Sequence, residues 1–569
     1  MKRGLFFLLA GTICLGVSWA SFQNAPPEEP VFSRYCPAGA LLYLQAKDFS
    51  SLLTEWNDSP QKRQWVKSVN YEVFSNSRLF LRLKSAGDQF AAAAGLPPDD
   101  AFLKHVAGRH SALAIYDLGK LQFLYVTQIS SGSSMESALW QGRGKFETRN
   151  SAGTPFFFRR DPESGAEVAF AVAGDHLLLA TREDLLAGAL QLMAGSKDRS
   201  IEAEQWWAQP VAAAGPAGDL RMVLDLEKIV PSPYFRSYWI QRNGTDMKQY
   251  GAAVSDLFRS DKEFREERVL LKKAAPAAGS AENDGAAGVA ELARLVPAEA
   301  GVYQVKANPS PAECIAVLEG KVLVPRTGPA APEKLAPQVA LTGGETGSGS
   351  DLETRIDQDA LPQSASSDRK VPLKELFQKN LVRALLQVQA TERDKDGVFV
   401  RFHSGFALLG EADWNETAAR SALVDFAGPD LTTGQMGVEW QARSGSQELN
   451  GLWGLVTAVR SKYLFIADQS GLLNGMLAGL NQKVALRPAL FAAGFNHSLE
   501  RENFALLTGL LDRSGNGNAA ALGTAHTREF FSENLQSLSS TLTGVASERI
   551  VVRDAGDKVL QTVIYEWSR

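Results

Sequence analysis

Ser59-Pro60-Gln61-Lys62 is the stretch of this chain whose residue types and spacing come nearest to a known catalytic pattern. In penicillin-interacting enzymes a serine in Ser-x-x-Lys attacks and the lysine helps to deprotonate it. That chemistry also needs Ser-x-Asn and then Lys-Thr-Gly. The nearest strings, Ser532-Glu533-Asn534 and Arg326-Thr327-Gly328, stand in the wrong order. Ser-x-x-Lys recurs at Ser367–Lys370, so the motif is common here by composition alone. A serine hydrolase using Ser59 and Lys62 is therefore an alternative reading and not the first one.

Two strings have calcium-loop spacing. Asp512, Ser514, Asn516 and Gly517 fit the opening of an EF-hand loop, but Gly523 stands where a bidentate glutamate is required. Glu392, Asp394, Asp396 and Gly397 repeat the pattern and end on His403. Both read better as polar turns, the second as a hairpin loop. His105 and His110 are five residues apart, a rotation of roughly 140° on a helix, so they share no metal face. The six histidines form no His-Glu-x-x-His. The glycines at 343–349 precede no Gly-Lys-Ser/Thr, and neither a dinucleotide fingerprint nor a nucleophile elbow is present. No metal and no cofactor is expected. Asp99-Asp100 and Glu266-Glu267 fit helix starts or solvated faces. The aromatic residues Trp206, Trp207, Tyr234, Phe235, Tyr238 and Trp239 could line a groove, but such residues more often pack a core.

Of three cysteines, Cys14 falls in an apolar leader, which leaves Cys36 and Cys314. No Cys-x-x-Cys is present, which removes zinc-ribbon and thioredoxin-like readings. A Cys36–Cys314 bond is open in an oxidising compartment, with two unpaired, half-buried thiols as the more common outcome.

The elements that position these residues begin with the leader. Lys2 and Arg3 precede an apolar run to Ala20, with Ser18 and Ala20 placed for cleavage. Residues 1–20 thus read as a signal peptide, or failing cleavage an N-terminal anchor. Residues 21–33 are a Pro-rich acidic tether. The expected location is the periplasm or the periplasmic face of the inner membrane, with membrane attachment only through the N-terminal segment. A net charge of -5 gives no reason to expect nucleic acid.

The 569 residues, 45% hydrophobic and 22% charged, suit two or three folded domains. Ala40–Gln45 reads as a strand, followed by an Asp48-capped helix with Phe49, Leu52, Leu53 and Trp56 on one face. That face is expected to press onto a sheet. Turn-linked strands follow at 111–116 and 121–128, and again at 155–160 and 167–172. A strand at 176–180 then leads into a helix at 183–193 that ends at Gly195. Leu220, Met222, Leu224 and Leu226 alternate as on a half-buried strand. Short turns between strands imply antiparallel pairing, and the helices must cover a sheet face, which gives an α+β class.

The chain also matches itself. Pro37, Ala38, Ala40 and Tyr43 correspond to Pro297, Ala298, Ala300 and Tyr303, with Asn308 in the capping place of Asp48. AVAGDHLLLATREDLLAGAL at 171–190 aligns without gaps to AVRSKYLFIADQSGLLNGML at 458–477. These matches predict two tandem, distantly similar α+β units at 34–273 and 295–569. A linker at 274–294 joins them, and a low-complexity loop at about 325–370 interrupts the second.

At PAGALLYLQAKDFSSLLTEWNDSPQKRQW and AVAGDHLLLATREDLLAGAL the chain resembles a family of uncharacterised exported bacterial proteins of acidobacterial type, grouped under a domain of unknown function. The resemblance covers the first half well and the second more loosely. It implies export and class, and carries no catalytic residues. The first reading is a non-enzymatic envelope protein that binds or scaffolds an unknown envelope protein or ligand. A carrier of a hydrophobic ligand is the other alternative, and it requires a continuous apolar cavity between sheet and helices.

Overall fold

The computed structural model describes residues 31–67, 71, 75, 78–232, 247–273, 282–319, 367–393, 395–397, 400–431, 439–443, 445–450, 454–503, 506 and 544–567. The leader, the tether up to residue 30, most of the low-complexity loop, the aromatic run 234–239 and the calcium-like string at 512–517 lie outside these residues.

The fold is α+β, built on one antiparallel sheet of twenty strands among the described residues. The first half supplies β1 (Leu42–Ala46), β2 (Ser111–Asp117), β3 (Gln122–Gln128), β4 (Glu147–Ser151), β5 (Thr154–Arg160), β6 (Glu167–Ala173), β7 (His176–Ala180), β8 (Leu220–Asp225), β9 (Tyr250–Arg259) and β10 (Glu263–Lys272). The second half supplies β11 (Val302–Ala307), β12 (Val382–Arg393), β13 (Val400–Gly410), β14 (Trp440–Arg443), β15 (Ser446–Asn450), β16 (Gly454–Arg460), β17 (Tyr463–Ala467), β18 (Phe491–Asn496), β19 (Val545–Asp554) and β20 (Lys558–Trp567).

From its outer edge the first half pairs in the order β4-β5-β6-β7-β3-β2-β1-β8-β9-β10. β10 then pairs with β20, and the second half continues β20-β19-β18-β11-β12-β13-β17-β16-β15-β14. Read outward from the β10–β20 seam, the two halves have the same strand order. The two stretches that match in sequence also meet in space. A Cβ on Gly188 would sit 3.0 Å from Pro37 Cγ, and one on Gly475 would sit 2.7 Å from Pro297 Cβ. In each half the opening proline thus packs against a glycine of the helix that follows the seventh strand of its run, Glu183–Met193 or Ser470–Ala478.

Each half is covered on both faces. In the first, Glu183–Met193 and Gln205–Ala213 lie with Phe32 and Cys36 over Tyr43, Ala112, Ala114, Leu124 and Val126. Trp206 and Trp207 belong to this core, where Trp207 meets Tyr43 edge-on at 6.4 Å. In the second half, Val289 and Leu292 pack with Leu472, Leu473 and Met476 over Val305, Leu386, Ala407 and Phe465. The opposite face there is filled by Leu373, Phe377, Trp414 and Phe426.

Three expectations are corrected. The supposed linker at 274–294 contains a helix, Glu282–Ala293, with Val289 and Leu292 fully buried. Its glycines permit close approach: a Cβ on Gly288 would lie 3.0 Å from Ala384 Cβ. Asn308 is not a cap. It takes a positive φ of 45°, and Ser310 caps Pro311–Leu318 through a capping box with Glu313. The bond to Lys306 and the Ser310 amide hold the Glu313 carboxyl down at about 2. The helix Phe49–Asp58 is capped by Asp48 as expected, yet none of its residues is buried and Trp56 is 48% exposed. Cys36 and Cys314 are unpaired, the outcome the sequence favoured over a bond between them, and both are buried, each in a different core. Burial raises both thiols, that of Cys314 to about 12.

Candidate functional site

Ser59 and Lys62 are adjacent in space, and each is held by local bonds at the junction of two helices. Ser59 ends Phe49–Asp58 and starts the helix Pro60–Val66. Its Oγ donates to Trp56 O at 2.8 Å and accepts the Lys62 amide at 3.0 Å, which are the bonds of a serine capping a helix. The Lys62 ammonium donates to Asn57 and faces the Asp100 carboxylate at 3.6 Å. No hydrogen bond joins Lys62 Nζ to Ser59 Oγ among the described residues.

The remaining sequence candidates also take structural roles. Asp99 caps Asp100–Val106 by accepting the Phe102 amide at 2.8 Å. Glu266 lies on β10 and is held low by Arg268 and Ser255, after burial pushes it up. The Glu392–His403 string is the β12–β13 hairpin, turned at Gly397 with φ +68. His403 lies between Asp468 at 3.4 Å and Glu392 at 3.2 Å, and the Asp468 contact raises it. No group of three potential metal ligands occurs among the described residues.

What the sequence reading missed in place, though it named the class of feature, is a cavity of about 1010 Å³ in the first half. Its floor is the sheet face opposite Tyr43, where Leu44, Leu113, Ile115, Phe123, Tyr125 and Leu179 project side by side. Its roof is the helix Arg78–Ala94. Phe90, Ala93 and Ala94 anchor the C-terminal half of that helix, with Phe90 against Phe102 at 5.6 Å. Its earlier turns stand away from the sheet, where Leu81 and Leu83 are 53% and 47% exposed. Small residues, Ala86 and Gly87, line the roof and leave the space open.

Register shows what is particular to this face. Across β6, β7, β3, β2, β1 and β8 the aligned row reads Phe170, Leu179, Tyr125, Leu113, Leu44, Met222. The row in the same strand positions of the second half reads Thr457, Ile466, Phe406, Gln387, Gln304, Ala493. Gln304 Nε2 donates to Gln387 Oε1 at 2.6 Å, and Gln304 is exposed. One half therefore floors this position with leucines and the other with hydrogen-bonded glutamines.

The two ends of the cavity differ. Ala46, Phe49, Val106 and Leu220 close one end. Arg82, Lys120, Gln122 and Arg182 stand at the other, around the β2–β3 turn.

No family model matches the chain, and no curated protein matches it. Among solved structures, crystal forms IV and I of TP0453 are similar. Each is 8% identical with a TM-score of 0.22, covering 42% and 44% of this chain and 79% and 82% of theirs. A likeness this distant carries no argument about fold or function.

Proposed function

We propose that the chain is an exported, non-enzymatic protein of the cell envelope, built from two copies of one unit, whose first copy holds a hydrophobic ligand. The ligand reading rests on the 1010 Å³ cavity and its half-buried leucine floor. A sheet face open to water is ordinarily polar, as at Gln304 and Gln387. Keeping Leu44 and Leu113 at those positions exposes apolar surface to water at a cost that an apolar ligand would remove. Volume and lining both suit a small-molecule site. The common strand order and the Pro37–Gly188 and Pro297–Gly475 contacts support the two copies. The charged start and apolar run of residues 1–20 support export to the periplasm. Scaffolding of an envelope partner is the second reading, favoured by Trp56, Val66, Leu81 and Leu83, which are exposed on neighbouring helices.

The test is titration with N-phenyl-1-naphthylamine, a neutral apolar fluorophore. The wild type should bind it saturably. The variant Leu44→Gln/Leu113→Gln, which copies residues the second half already carries, should keep its fold by circular dichroism. It should lose about ten- to hundredfold in affinity, because each new amide would meet the ligand unpaired. Equal binding by a folded variant would remove the cavity from the function.

A further inference from the structure

Resting on the apolar-ligand reading, the geometry points to a ligand of one class: an amphiphile with an apolar body and a single anionic head, the head held at Arg82 and Lys120. On β2 the lining runs from Ser111 to Ile115, about 13 Å at the rise of an extended strand, and across the sheet it passes over β8, β1, β2, β3 and β7. The cationic side chains of the lining, Arg82, Lys120 and Arg182, are gathered at one end, as an anionic head requires, while Gln45 and Ser111 line the other.

The charge at that end is unevenly matched. Arg182 is held by Asp184 through Nε at 2.9 Å and a second short bond, so its charge is already met. Glu167 accepts the Glu183 amide at 3.2 Å, at the start of the helix Glu183–Met193. Arg82 donates through Nη2 to Gly119 O, a neutral carbonyl, and its Nε is buried with no acceptor among the described residues. A buried guanidinium N–H without a partner is uncommon and costly. The Arg82–Gly119 bond places this guanidinium beside the next residue, Lys120, which is exposed. Its backbone amide is taken by Asp117 at 2.9 Å, and no ion pair for its ammonium occurs among the described residues. A carboxylate arriving here would accept from Arg82 and face a second cation, while its apolar body covered Leu113 and Leu44.

Oleate and oleyl alcohol separate the possibilities, since they share a chain and differ in the head. The full-length chain should bind oleate at least about tenfold more tightly than the alcohol, the scale of hydrogen bonds to a charged group. Arg82→Gln/Lys120→Gln should remove that preference and leave oleyl alcohol binding unchanged, which also shows the cavity intact. Lys120→Gln alone, at an exposed position, should give a partial loss and covers the case in which Arg82→Gln disturbs folding. Equal affinity for both, insensitive to these variants, would overturn the anionic head and leave the apolar site standing. Binding of neither compound, nor of the neutral fluorophore, would overturn the apolar site itself.

Discussion

One buried ion pair of the sheet is fixed on all sides by structural bonds. Arg221 on β8 donates from Nε to Asp256 Oδ1 at 2.7 Å and from Nη2 to Oδ2 at 2.8 Å. Asp256, on β9, also accepts the Gly218 amide at 3.0 Å, and Arg221 reaches Gly215 O at 2.8 Å. The two residues are only 8% and 2% exposed. Removing one partner strands a buried charge, so Asp256→Ala should cost about 3–5 kcal/mol. Arg221→Met/Asp256→Leu should cost much less, because both charges leave together. Urea denaturation of the three proteins checks this, and an Asp256→Ala variant within about 1 kcal/mol of wild type would contradict it. The sequence pointed to the wrong side of this strand. Leu220, Met222 and Leu224 alternate as a buried face would, yet Arg221, Val223 and Asp225 are the buried set. Period alone finds a strand. It cannot tell a face covered by protein from one left for something else, and the pairing of Arg221 with a residue 35 positions away is invisible to it.

At the scale of elements, the helix Glu282–Ala293 shows why composition misleads. Ala and Gly at 285–288 look like a linker, but here they let a helix lie close on β12 and β13. Besides its 3.0 Å approach to Ala384 Cβ, a Cβ on Gly288 would meet Leu409 Cδ2 at 3.1 Å. Gly288→Val should therefore destabilise by about 1–3 kcal/mol through overpacking, despite relieving a helical glycine. Ala287→Leu, at an exposed position one residue away, should be nearly neutral. Thermal melts of both variants decide it; equal melting would mean the helix does not depend on close approach. Elements bounded by strong turns were legible. The strand 176–180 and the helix 183–193 fall where the pattern put them, and Gly195 takes φ +88 at the helix end. The short helices Ser131–Glu136 and Ala138–Gln141 meet at Ser137, which ends the first and caps the second. The cavity was legible only as a requirement of one hypothesis. Its roof is a helix whose anchoring, at Phe90 against Phe102, depends on a tertiary contact that no local pattern records.

Across the whole molecule, the halves are joined edge to edge by β10 and β20. Nine residue pairs run from Glu263↔Glu566 to Leu271↔Lys558, with Arg268 reaching Gln561 across 293 residues of chain. Lys272 and Asp554 reinforce the seam with an ion pair that is 18% and 10% exposed. β19 and β20 therefore serve both halves: β20 closes the edge of β10, and β19 closes the edge of β18. Contacts this far apart form slowly, because the loop entropy must be spent before the ladder returns it. Until β19 and β20 arrive, both edges present unpaired amides and carbonyls, which template association with other chains. Removing residues 544–569 should leave that exposed state permanent, and it should also uncover Val269 and Leu270, now 7% and 9% exposed. The truncated chain is expected to form high-mass species by size exclusion with light scattering, while the full chain keeps a discrete mass. A truncated protein that elutes as the full chain does, with its far-ultraviolet spectrum intact, would mean that each half closes its own sheet and the seam is dispensable.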